Sequence, residues 1–320
     1  MIVDVHTHVI PRFLIERAMS GETDGIGVTW ERDGLKHHLG YWYPVPPVFH
    51  DSAEKLADMD RKGIDFSVVS VSPTLFCYDK PIEVAEDLSR EINDSIAAFV
   101  AKAPDSFAGL ATVPLQEPDA AVIELHRAKE ELGLLGVQIG TNVEQTQLDD
   151  AEVRPFFAAA QQLEMPVTLH PYYVGSKRGL EPYYLTNSVG NPLDTCIAIA
   201  RLIHGGIPER FPSLRFIAVH GGGFFPFQVG RFDHAWRVRE EPRANIGSPP
   251  SAYLKPFYFD TVTHDRMALR FLLELVGRES ILLGSDIPFD MAEENPVGRV
   301  REVLEPHAIG GNAMRLYGLG

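Results

Sequence analysis

The chain has 320 residues, 45% of them apolar, and a formal net charge of −15. That length suits an α/β barrel of about 250 residues or more folded as one unit, with ample apolar material for a core. An acidic surface repels phosphate backbones, which argues against nucleic acid as a partner, and no run of about 18 apolar residues suggests a transmembrane helix. The N-terminal stretch MIVDVHTHVIP lacks a basic n-region and a small-residue cleavage site, so no secretory signal is expected. Cys77 and Cys196 cannot build a disulfide framework and read as free thiols of a reducing cytoplasm.

In chain order, apolar and β-branched runs recur at IVDVH (2–6), FSVVSVS (66–72), FAGLATV (107–113), LGVQIG (135–140), PVTLH (166–170), LRFIAVH (214–220), FYFDT (257–261) and ILLGSD (281–286). Their nearly continuous apolar character fits parallel strands buried on both faces. Helical patterns lie between them, clearest in AEKLADMDRKG, VAEDLSREINDSIAAFVAKAP and DAAVIELHRAKEELG, each ended by Gly or Pro. Eightfold strand–helix alternation predicts a closed (β/α)8 TIM barrel, with residues 1–320 as one domain. A doubly wound open sheet is the competing architecture. It usually has fewer strands and often a glycine-rich first turn, whereas here the first strand runs into HTHVIP. Residues 12–50 interrupt the rhythm. GVTWERDGLKHH flanks an Asp33-Gly34 turn signal and is followed by the aromatic, proline-rich YWYPVPPVF. This predicts an insertion with a small hairpin, serving as a lid over the catalytic face, and no helix before the one near Asp51.

In a parallel barrel all C-terminal strand ends share one mouth. Strand one ends in His6-Thr7-His8, strand five in His170, strand six in His220 and strand eight in Asp286. Alternation directs the imidazoles of His6 and His8 to the same side. A His-x-His pair alone reads equally well as two buried strand histidines. With His170 and Asp286 at matching ends, three imidazoles and a carboxylate suit one divalent metal, Zn²⁺ first, with Mn²⁺ and Fe²⁺ compatible. His220 precedes Gly221-Gly222-Gly223 and reads as a general acid/base beside the metal, against the plainer reading of a core or capping histidine.

These residues resemble the amidohydrolase superfamily, in its amidohydrolase-2 branch. The resemblance rests on VDVHTHVIPR, DMDRKGID, VPLQEPDAA, LGVQIGTNV, TLHPYY, NPLDTCIAI, HGGGFFPFQVGRFDHAWR and LLGSDIPF, which run from residue 3 to residue 289. It implies a (β/α)8 barrel, one zinc, and non-oxidative loss of CO₂ from an unsaturated or aromatic acid. It implies metal ligation by His6, His8, His170 and Asp286, catalysis by His220, and a substrate-carboxylate role for Arg231 reaching in from a neighbouring subunit, hence a homodimer. One position departs from the pattern. Where relatives of this branch carry a second carboxylate-binding arginine, this chain has Tyr43, which offers a hydroxyl and a ring face but no fixed charge.

Weaker signals complete the reading. Trp42, Tyr43, Tyr172 and Tyr173 could line an aromatic pocket, and Lys177 and Arg178 could meet an anionic substrate. His264 reads as structural or exposed, and Asp260, at the end of FYFD, as structural, with a hydrogen bond to the metal shell as the alternative. The leading function is a metal-dependent decarboxylase of a small carboxylate substrate. A metal-dependent hydrolase or hydratase is the alternative, because fold does not fix chemistry. A non-enzymatic module would leave His220 without a purpose.

Overall fold

A computed structural model describes residues 1–23, 25–38, 41–172 and 179–319. Eight parallel strands form one sheet: β1 (Val3–Val9), β5 (Phe66–Val71), β6 (Phe107–Ala111), β7 (Gly136–Gly140), β8 (Val167–His170), β9 (Phe216–Ala218), β10 (Phe257–Asp260) and β11 (Ile281–Leu282). The sheet follows chain order. It closes on itself through parallel bridges from Leu283 to Asp4 and from Ile287 to Thr7, just beyond the end of β11. This is the (β/α)8 TIM barrel that the alternation predicts. Every residue of β1 and of β5 to β9 is buried, as expected of strands covered on both faces.

Helices α2 (Ser52–Lys62), α3 (Ile82–Val100), α4 (Pro118–Glu130), α5 (Arg154–Gln162), α6 (Asn191–His204), α8 (Phe225–Val238), α9 (Arg266–Val276), α10 (Pro296–Arg301) and α11 (His307–Tyr317) connect and cover the strands, with a short α7 (Ile207–Arg210) after α6. Local chemistry sets their ends. The Asp51 carboxylate accepts from Ala53 N and Glu54 N to start α2, and Gly63, at φ 71°, ends it. Asp265 caps α9 in the same way. Among the described residues no helix is long and apolar enough to cross a membrane. Cys77 and Cys196 are both free and buried.

The insertion is richer than the sequence suggests. A helix, α1 (Arg12–Ser20), opens it, burying Leu14, Ile15 and Ala18 and ending at Gly21. Its start carries Pro11 and no side-chain cap, so the usual N-terminal signal is missing. The expected hairpin forms between β2 (Val28–Glu31) and β3 (Gly34–His37), turning at Arg32 and Asp33, both with positive φ. A third strand, β4 (Trp42–Pro44), pairs with β3 to make a three-stranded antiparallel sheet.

The turn after β9 demands glycine. Gly223 adopts φ +59°, and a Cβ there would fall 2.1 Å from Pro192 O in α6. Gly223→Ala is therefore expected to destabilise the fold by about 2–4 kcal/mol, through backbone strain plus a clash with a rigid carbonyl. Urea unfolding measures this, and a change under about 0.5 kcal/mol would refute the account.

Candidate metal centre and active-site cavity

β1 supplies His6 and His8, and β8 ends in His170. His220 and Asp286 do not end their strands as expected. β9 stops at Ala218 and β11 at Leu282, and both residues follow in turns. There each adopts positive φ, 55° for His220 and 63° for Asp286. Such conformations are uncommon outside glycine and aim the two side chains back over the barrel mouth.

Four imidazoles and one carboxylate converge. The His6 ring centroid lies 5.1 Å from those of His8 and His170 and 5.2 Å from that of His220. Asp286 Oδ1 stands 3.1 Å from His8 Nε2, 3.3 Å from His6 Nε2 and 4.0 Å from His170 Nε2. Asp286 Oδ2 turns to His220 Nε2 at 3.4 Å.

The donor set fits a metal ion. Atoms about 2.1 Å from a common cation stand roughly 3.0–3.4 Å apart at ordinary coordination angles, close to most of these spacings. His6 Nε2 and His170 Nε2 are buried yet make no hydrogen bond. Each ring is tied at its other nitrogen. His6 Nδ1 meets Asp260 Oδ2 at 2.6 Å, His170 Nδ1 meets Pro171 O at 2.8 Å, and His8 Nδ1 meets Val71 O at 3.3 Å. Those partners accept, so Nδ1 carries the proton and the Nε2 lone pair is left for a cation. The residues present therefore form a divalent-metal site of imidazoles and one carboxylate.

Electrostatics agree. Burial opposes charge on His6, but Asp286 and Asp260 outweigh it and push its pKa up to about 10. Burial pushes His8 down to about 4 and His170 to about 3. Burial would raise Asp286, but the surrounding imidazoles, His6 foremost, hold its pKa well below the usual carboxylate range. The centre thus favours positive charge beside its carboxylates, with His8 and His170 as neutral donors.

Two histidines compete for the fourth place. The donor atoms of His6, His170, His220 and Asp286 all lie within 4.8 Å of one another, a set without His8. Accessibility separates the pair. His8 is completely buried, whereas the His220 side chain is 17% exposed and lines the cavity above. Only His220 of the two is placed to meet a substrate.

That cavity measures about 860 Å³. His170, His220 and Asp286 are part of its wall, with Trp42, Tyr43, Tyr172, Tyr184, Phe224 and Phe289. Among the described residues no lysine or arginine lines it. Tyr43 is buried and bonds Thr74 Oγ1 at 2.6 Å and Ser72 Oγ at 3.3 Å, a neutral hydroxyl cluster. Tyr172 Oη accepts from Glu144 N at 3.2 Å. Arg231 lies elsewhere, exposed on α8, and does not line the cavity of its own chain. Tyr173, Lys177 and Arg178 lie outside the described residues.

Two residues that the sequence marks only weakly contribute here. His264, read as structural or exposed, is exposed and also lines the cavity. Asp260, read as structural, accepts from His6 Nδ1 through one oxygen and from Gly221 N at 2.7 Å through the other. It ends β10, so the strand-end rule that picked out Asp286 also marks it.

The Amidohydrolase family profile matches residues 3–319. The chain belongs to the amidohydrolase family. Its place in the amidohydrolase-2 branch is borne out by relatives. The 2-amino-3-carboxymuconate-6-semialdehyde decarboxylase of Dictyostelium discoideum is 33% identical, over 99% of this chain and 91% of that protein. The gamma-resorcylate decarboxylase of Rhodococcus jostii (strain RHA1) is 29% identical, over 78% of this chain and 81% of its own. The fold of this amidohydrolase matches the crystal structure of 5-carboxyvanillate decarboxylase from Sphingomonas paucimobilis with a TM-score of 0.85. There the identity is 24%, covering 100% of this chain and 99% of the other.

Asp260 generates a test. Asp260→Asn keeps the shape but removes the charge that fixes His6, and should weaken divalent-metal affinity about 10–100-fold. Competition with a chromophoric chelator measures the change. Unaltered affinity would show that His6 needs no carboxylate behind it.

Proposed function

We propose that this amidohydrolase is a metal-dependent, non-oxidative decarboxylase of a small unsaturated or aromatic carboxylic acid. The observation that carries the reading is His220, set 3.4 Å from Asp286 Oδ2 on the cavity wall while three other imidazoles surround the second carboxylate oxygen. The decarboxylase names of the two relatives support it. We assign His6, His8, His170 and Asp286 as ligands of one divalent ion, Zn²⁺ in our reading, because imidazole–carboxylate sets with an open position suit it.

A divalent ion held by His6, His8, His170 and Asp286 would supply Lewis acidity at a substrate oxygen. The chain's residues do the rest. When the bond to the carboxylate carbon breaks, CO₂ leaves and the electron pair stays on the substrate carbon. His220 delivers a proton to that carbon, forming C–H, and recovers one from solvent. Asp286 orients the imidazole through Oδ2. Aromatic walls such as Phe224 and Phe289 exclude water and stack a flat acid. Tyr43 and Thr74 offer a hydroxyl pair to an uncharged, hydrogen-bonding substituent, and Tyr172 lines the same wall.

His220→Ala is expected to keep its metal and lose about 10²–10⁴-fold in turnover, read as CO₂ release from a panel of hydroxylated aromatic and unsaturated acids. Loss of metal would make His220 a ligand. Hydrolysis or hydration without CO₂ would move the enzyme to the alternative chemistry.

We also infer a homodimer in which Arg231 of the partner subunit binds the substrate carboxylate. What supports this is an exposed arginine beside exposed Phe227 and Val238 on α8, and a cavity with no described cation of its own. Mixing Arg231→Ala and His220→Ala proteins should restore activity through hybrid dimers. Verified mixed dimers that stay inactive would overturn the shared site.

A further inference from the structure

The barrel seam is its least regular part and also carries the metal centre. β1 has a register shift between Asp4 and Thr7, where His6 sits, and β11 ends at Leu282 before the seam reaches Asp286. Two isolated bridges, Asp4 to Leu283 and Thr7 to Ile287, join the sides, with backbone hydrogen bonds from Val5 N to Leu283 O, from His8 N to Ile287 O, and from Ser285 N and Asp286 N to His6 O. Here the pairing is irregular, and side-chain contacts share in fixing the register. Yet His6 and His8 stand on one side of this seam and Asp286 on the other.

Side chains reinforce those backbone bonds. Thr7 Oγ1 donates to Ile287 O at 2.9 Å and accepts from Lys55 Nζ at 2.8 Å. Lys55 Nζ also donates to His8 O at 3.2 Å. On the same seam, Ser285 Oγ donates to Asp4 Oδ2 at 2.6 Å. Lys55 comes from α2 and is only 1% exposed. Its ammonium donates to a hydroxyl and a carbonyl; among the described residues no carboxylate is in hydrogen-bond contact, and Asp4 and Asp58 favour its charge from further away. Burying such a cation is costly, and an apolar side chain of similar length would fill the space at less cost. The charge must therefore serve its contacts. An ammonium can only donate, so it commits the Thr7 hydroxyl proton to Ile287 O and fixes the direction of that bond.

We propose that Lys55 and Thr7 are positioning residues for the metal centre: their ammonium–hydroxyl–carbonyl chain clamps the His6–His8 segment to the segment of Asp286 at the spacing a divalent ion requires. The proposal rests on the reading of this centre as the metal site. The clamp touches neither substrate nor the reacting atoms. It sets the separation between the donors of Thr7's sequence neighbours, His6 and His8, and the Asp286 carboxylate across the seam.

The test uses Zn²⁺ alone as probe, with affinity measured by chelator competition and metal loss from the loaded enzyme followed in excess chelator. Thr7→Val is nearly isosteric and removes both hydrogen bonds, so it should weaken Zn²⁺ binding about 10–100-fold and speed release. Thr7→Ser keeps the hydroxyl and should stay within about threefold of the parent. Lys55→Met should resemble Thr7→Val, and the double variant should be little worse than either, because both cut one chain. If Lys55→Met fails to fold, the Thr7 pair decides alone. Parent-like affinity in folded Thr7→Val, or equal losses in Thr7→Ser and Thr7→Val, would overturn the clamp. Failure of the parent enzyme to bind Zn²⁺, Mn²⁺ or Fe²⁺ would instead overturn the metal reading beneath it.

Discussion

Asp286 is where the fold and the chemistry meet. Its backbone N–H donates to His6 O at 2.7 Å, one of the hydrogen bonds that close the barrel. Its carboxylate faces four imidazoles brought by β1, β8 and the turn after β9. An unpaired buried carboxylate would be expensive, and paired imidazoles alone do not repay the cost of burying so many polar groups. A bound cation changes the sign of that balance, because each Nε2 lone pair and the carboxylate then gain a partner. The left-handed backbone at Asp286 is tolerated on the same terms, as local strain offset by what the side chain binds.

The barrel was legible in the sequence because parallel strands buried on both faces write themselves as short apolar runs. The runs ending in His170 and near Asp260 matched their strands to within a residue or two of each end. The insertion was less legible, for reasons of local chemistry. α1 starts at Pro11 without a capping side chain, and β4 is a three-residue strand ending in proline. Neither carries the signals that mark a helix start or an independent strand. Strand ends also misled slightly. LRFIAVH and ILLGSD run past the last residues of β9 and β11, so His220 and Asp286 read as strand residues although they lie beyond the strands.

The site was legible to the extent that topology alone brings residues together. A parallel barrel sends every strand's C-terminal end to one mouth, so His6, His8, His170, His220 and Asp286 could be gathered without coordinates. What topology cannot give is the partner of each second ring nitrogen. Asp260 reaches His6 from β10, which is separated from β1 by β11 in the sheet. Lys55 lies in a helix whose sequence gives no reason to expect a buried ammonium. Arg231 shows the opposite limit. Its sequence context reads as an ordinary helix face, its position is an exposed helix face, and only the family resemblance suggests a distant use.

The division of labour within the cavity follows from these constraints. Charge is concentrated at the floor, where the Asp286 carboxylate and the imidazoles form the donor set for a divalent ion. The described walls contribute rings and hydroxyls, with Glu181 and Asp290 as added anions and no described cation to oppose them. The described walls would repel an anion, so the floor and any cation supplied from outside the described lining would set the orientation of an acidic substrate. The walls then act on the remainder of the molecule through shape and neutral hydrogen bonds. Tyr43, held by Ser72 and Thr74, is a fixed hydroxyl at a position where charge would favour a second carboxylate. In this architecture the floor determines which bond is activated, and single wall positions determine which acid presents it. Relatives can therefore share the barrel and the donor set while differing in substrate.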